Sequence, residues 1–193
     1  MRAALLIVLS GCLLGTRVPP LELRYFAPPD VESRVAATPS TSTLRVPRVT
    51  ASSHLRFRIA HRESAVELQF YETLRWTERP DEYVRRALLA ALEGHRVGLT
   101  LGGESPRLEV EVAAFEEVRR GDRVFGRVQL RYQLDDEDSV LATDSITVER
   151  AAVSGDISDV VDAIGDAMNA ASAELAGRIA TELHAQSLRA AEH

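Results

Sequence analysis

The sequence predicts an α+β fold, an antiparallel or mixed β-sheet packed by a mid-chain helix and by a long C-terminal helix. Three observations carry that expectation. Three segments between residues 108 and 148 place apolar residues at alternate positions, as half-buried strands do. From about 158 to 187 apolar residues recur every third or fourth position, the period of an amphipathic helix. Pro80, followed by Asp81 and Glu82, suits a helix start, where proline and negative charge are both tolerated.

A chain of 193 residues fits one domain with its own core. An apolar fraction of 45% and a charged fraction of 27% argue against wholesale disorder. All 23 basic residues are Arg. Without Lys there is neither a Walker A loop nor Schiff-base chemistry. A net charge of −6, with Arg scattered among carboxylates, leaves no basic face for nucleic acid.

The N-terminus carries the sharpest motif. Met1-Arg2 is followed by the apolar run Ala3 to Leu9 and then by Ser10-Gly11-Cys12, the layout of an export signal. The run is too short for a transmembrane helix, which needs about 20 apolar residues. Leu9-Ser10-Gly11-Cys12 resembles the bacterial lipobox, which implies cleavage between Gly11 and Cys12 and lipid attachment at Cys12. An ordinary cleaved signal with an incidental Cys is the other reading. Cys12 is the single cysteine, so no internal disulfide forms. Leu13 follows it, where an Asp commonly favours inner-membrane retention. The resemblance therefore implies an outer-membrane lipoprotein facing the periplasm.

The expected layout is a signal peptide at 1–11, a lipidated tether at 12–20, a folded domain at 21–187 and a tail at 188–193. Leu21, Leu23 and Tyr25 alternate with polar residues as a first strand, ended by Pro28-Pro29. Residues 35–43 read as a loop. Thr43–Val46 and Leu55–Ile59 alternate apolar with Arg, and a turn at 61–64 leads into Val66–Phe70, forming a hairpin. Tyr83, Ala87, Leu88, Ala91 and Leu92 mark one face of the helix from Pro80, and Gly94 is its stop.

The three alternating segments place Leu108 to Ala114, Val124 to Leu134 and Val140 to Val148 in one even register, so an antiparallel meander is expected. Pairing Val118 with Asp122 across the first turn would set Glu109 opposite Arg131. The last helix aligns Val161, Ile164, Met168, Ala171, Leu175, Ile179 and Leu183.

Catalytic and metal motifs do not stand out. The five histidines have no i,i+4 partner, and no G-x-S-x-G elbow occurs. Asp135-Asp136-Glu137-Asp138 lacks the alternating ligands of a calcium loop and reads as a charged turn. No cofactor, metal or catalytic residue is assigned.

The early Tyr25 strand, the hairpin and Phe70-Tyr71-Glu72-Thr73-Leu74-Arg75-Trp76-Thr77-Glu78-Arg79-Pro80 before a helix resemble the ABC-type transport auxiliary lipoprotein family, the PqiC or YmbA type. The resemblance spans about 21–187. Thr77 stands where the family commonly has Ala. The family implies a non-enzymatic, membrane-anchored accessory of an envelope system whose ATPase, permease and MCE subunits are separate chains and which moves lipids or other hydrophobic compounds. A free-standing envelope lipoprotein is the alternative. Trp76, Tyr71 and Tyr25 are read as core aromatics.

A helix of roughly 30 residues spans about 45 Å, longer than the roughly 30–35 Å expected of a compact domain this size. One reading lays the helix wholly across the sheet; the other has its outer end, with Ile179 and Leu183, meet a partner. A second copy of the chain and a transport subunit are equally eligible.

Overall fold

A computed structural model describes residues 20–29 and 42–191. The expected signal cleavage and lipid attachment at Gly11 and Cys12 lie outside the described residues. One mixed sheet is built from β1 (Arg24–Phe26), β2 (Ser42–Ala51), β3 (Arg58–Arg62), β4 (Gln69–Trp76), β5 (Val97–Thr100), β6 (Arg107–Arg120), β7 (Arg123–Asp135) and β8 (Val140–Ala151). Two helices, α1 (Pro80–Gly94) and α2 (Ile157–Ala191), complete the fold. The predicted α+β class is the observed one.

β6 organises the sheet. One of its edges takes β7 antiparallel, and β7 takes β8, which is the expected meander. Its other edge is shared by two parallel strands, β2 along Arg107–Val112 and β3 along Glu116–Val118. β4 pairs antiparallel with β3 as the predicted hairpin, β1 pairs parallel with β4, and β5 lies outside β2.

A bulge between Val112 and Ala114 turns the even register odd, because one extra residue exchanges the faces of a strand. Phe115 and Glu117 therefore follow Val112 onto the helix side. The β6–β7 turn is also tighter than expected, Arg120 pairing with Arg123 around Gly121 at φ +60°. The two changes set Glu111, not Glu109, opposite Arg131, with a 3.3 Å ion pair.

Trp76, Tyr83 and Phe115 meet edge-on or stacked, with centroids 5.1–6.3 Å apart, so Trp76 is a core residue as expected. Thr77 has a role too, its hydroxyl lying 2.7 Å from the Tyr83 hydroxyl. Tyr25 departs from expectation and is exposed, as are Leu21 and Leu23. β1 is a three-residue edge strand that turns Phe26, the opposite face, onto the core, and alternation alone does not reveal which face is inward. Val140 is exposed at its strand end for a similar reason. β5 is a strand that the short Val97–Thr100 segment did not announce.

α2 packs on β7, β8 and α1. Two glycines allow close approach. A Cβ on Gly126 of β7 would lie 2.3 Å from the Ile164 backbone nitrogen, and one on Gly165 would lie 2.8 Å from the Pro29 ring. All seven apolar residues aligned in the sequence are buried.

The expected overhang is absent from this stripe. Ile179 is 1% exposed and Leu183 4% exposed, so neither offers a surface. The cause is the length of the strands: β7 has 13 residues, about 43 Å at strand rise, and supports α2 along most of its length. Among the described residues no helix is long and apolar enough to cross a membrane.

Candidate functional site

Both helices lie on one face of the sheet, leaving the other face open. Over β2, β6, β7 and β8 that open face forms a shallow concavity of about 660 Å³ lined by Arg48, Thr50, Glu111, Arg131, Gln133 and Ser145 among others. Alternation explains its chemistry: the polar residues of each strand point away from α2. Ser52 donates to Glu111 at 2.6 Å, which together with Arg131 holds the Glu111 carboxyl below its usual range. The surface offers hydroxyls, amides and paired charges, suited to reversible hydrogen bonding with another macromolecule.

A charged network closes one end of the sheet, where β3, β6 and β8 finish and β4 and β7 begin. Consecutive Glu116 and Glu117 are both fully buried and face opposite sides of β6. Glu116 accepts from Arg62 at 3.3 Å and from Arg127 Nε at 3.0 Å, with a further bond from Arg127 Nη2. Arg127 comes within 4.0 Å of Glu149, and Arg120 grips Glu149 through two bonds of 2.7 and 2.8 Å. The Arg120 bonds hold the Glu149 carboxyl below its ordinary value. On the other side, Glu117 accepts from Arg119 and, at 2.7 Å, from the Tyr71 hydroxyl. Burial and the neighbouring Glu117 push Tyr71 up to about 12. His61 lies against the Tyr71 ring, centroids 4.6 Å apart.

This makes Tyr71 a network residue more than a packing one. Sequence reasoning missed the network because a strand pattern with two adjacent Glu has no local sign of burial. The signal available was the excess of Arg on neighbouring strands, legible only after pairing. A buried carboxylate needs such partners, since an isolated one costs several kcal/mol.

The acidic run 135–138 is a structural turn. Asp136 Oδ1 accepts the backbone N–H of Asp138 and of Ser139 and the Ser139 hydroxyl, and Oδ2 accepts from Gln186 of α2. These bonds, the backbone ones first, depress the Asp136 carboxyl. Among the described residues there is no cluster of three His, Cys, Asp or Glu able to hold a metal.

The family model described as ABC-type transport auxiliary lipoprotein component matches residues 26–180. A crystallised protein of Xanthomonas campestris, assigned to the DUF330 family, superposes with TM-score 0.73 at 22% identity, covering 86% of this chain and 99% of that one. An uncharacterised protein gives TM-score 0.66 at 16% identity over 82% and 99%. A hypothetical protein of Chlamydia trachomatis gives 0.54 at 10% over 76% and 99%. These likenesses establish the fold. No curated protein matches the chain.

Proposed function

Since the chain belongs to the ABC-type transport auxiliary lipoprotein family, we propose that it is the lipid-anchored accessory of an MCE-type envelope transport system for lipids or other hydrophobic compounds. The observation that carries this reading is the family match over 26–180 downstream of Leu9-Ser10-Gly11-Cys12. Cys12 supplies the anchor: each buried acyl methylene contributes about 0.8 kcal/mol, and several chains together hold a protein stably. Leu13 after Cys12 favours the outer membrane.

The chain acts by docking and performs no catalysis of its own. We assign the open sheet face around Arg131, Glu111 and Ser145 to the contact with the MCE or permease subunit, because the helices cover the other face. Ile179 and Leu183, being buried, are not part of it.

Affinity purification of the lipidated chain tests the reading. Co-purification of an MCE-domain protein, weakened by Arg131→Glu in a variant that folds normally, is expected. Cys12→Ser is expected to abolish fatty-acid labelling. A labelled chain that retains no transport subunit would leave the free-standing lipoprotein as the better account.

A further inference from the structure

We propose that the β6–β7 hairpin tip faces the bilayer and rests among its phospholipid headgroups. The inference builds on the anchoring of Cys12 and concerns which end of the domain that anchor brings down.

The topology fixes the end. β1 runs parallel to β4, with Arg24 beside Leu74 and Phe26 beside Trp76, so the chain entering β1 approaches from the Gln69 end of β4. Gln69 pairs with His61, and His61 pairs with Glu117 of β6. The tether therefore arrives at the end of the sheet from which the β6–β7 hairpin projects. Only eight positions separate Cys12 from Pro20, which limits their span to about 29 Å. Three strand spacings, roughly 14 Å, separate β1 from β6 in the order β1-β4-β3-β6. Gly121 lies four residues beyond Glu117, about 13 Å further along the strand, so the tip leads that end.

The tip has the chemistry for headgroups. Arg119, Arg120 and Arg123 surround Gly121-Asp122, giving the five-residue tip a charge of +2 in a chain of net −6. Arg120 and Arg123 lie over the Phe125 ring at 5.2 and 5.0 Å; Arg119 pairs with Glu117 and Glu63 and Arg120 with Glu149, so Arg123, which the ring holds in place, is the guanidinium that leads toward the headgroups. Guanidinium binds phosphate oxygens in pairs and stacks on aromatic faces. Flanking the tip, Val66 in the β3–β4 loop and Val153 in the β8–α2 loop are 93% and 95% exposed, and apolar side chains beside arginine suit the membrane interface. Glu63, Glu67 and Asp156 also lie in these loops, so positive charge is concentrated at the tip and is not spread over the whole end.

The test uses the lipidated full chain, whose own thiol is occupied by the anchor, with one new cysteine carrying an environment-sensitive fluorophore. Asp122→Cys, Val66→Cys and Val153→Cys report the tip end, and Glu137→Cys reports the far end. The vesicles are phosphatidylethanolamine with phosphatidylglycerol, with and without a lipid-borne quencher. The expected result is a blue shift and at least twofold quenching at the three tip-end positions, with neither at Glu137→Cys. Adding Arg120→Gln and Arg123→Gln should reduce the quenching at Asp122→Cys. A chain that stays on vesicles with all three tip labels in water would overturn the proposal while leaving the anchor intact. Labelling of the parent chain at Cys12, or failure to stay on vesicles, would overturn the anchor reading itself and with it the basis of the orientation.

Discussion

The two hairpin tips of the meander are joined by the same strand, β7, yet are built on opposite principles. Arg119-Arg120-Gly121-Asp122-Arg123 carries three guanidinium groups, and behind it Glu116, Glu117 and Glu149 are paired with arginines. Asp135 to Asp138 carries four carboxylates, of which Asp136 is spent on the turn's own backbone and on Gln186. Exposed apolar residues do not separate the ends, since Leu101 and Val140 stand near the acidic tip as Val66 and Val153 stand near the basic one. Charge and the entry of the tether do. At one tip Arg123 is thus placed to meet phosphate, while the carboxylates of the other repel it.

The largest expected effect concerns what holds the two ends together. Ile179→Glu combined with Leu183→Glu places two charges where the parent side chains are 1% and 4% exposed, and unpaired buried charge is not tolerated. Loss of the folded state is expected by circular dichroism. A variant that folds and melts like the parent would mean that the end of α2 is not packed as described.

At the basic end, Tyr71→Phe removes a hydrogen bond to buried Glu117 and a contact with Arg119, a loss of about 2 kcal/mol for a bond to a charged group. The same hydroxyl gives this end an alkaline sensitivity. Tyr71 is raised from 10.0 to about 12, so its stabilisation is complete below pH 10 and is lost as pH rises toward 12. Chemical denaturation across that range should show a decline in the parent that is smaller in Tyr71→Phe.

The acidic tip should respond less. Asp136→Ala removes the bonds that close the turn and tie it to α2, and is expected to lower the urea midpoint measurably but by less than Tyr71→Phe. Glu137→Ala, at an exposed position, should stay within about 0.5 kcal/mol. Equal losses at the two positions in urea titrations would remove the distinction between turn-forming and solvating carboxylates.

The sequence revealed what repeats locally and little of what depends on pairing. The spacing of Val161 to Leu183 identified α2 because a 3.6-residue period is independent of partners, and the Pro80 helix was legible for the same reason. The face of β1 was not, since Leu21, Leu23 and Tyr25 have the pattern of an inward face but lie on an edge where Phe26 packs inward. The bulge that turns Phe115 and Glu117 inward likewise has no local marker. For the candidate site, Arg119 to Arg123 were visible as a polar turn, yet their meaning depends on β1 running parallel to β4, a pairing across some fifty residues. The expected exposure of Ile179 and Leu183 came from assuming a round domain, when the 13-residue strand β7, about 43 Å long, carries the 35-residue α2 past both of them.

The contrast between the ends is tested most directly in living cells, with a photo-crosslinking residue placed at Asp122 or at Glu137 of the lipidated chain. The account predicts phospholipid adducts from position 122 and none from position 137. Lipid adducts at position 137 with none at 122 would contradict it, by turning the domain end over end on its anchor.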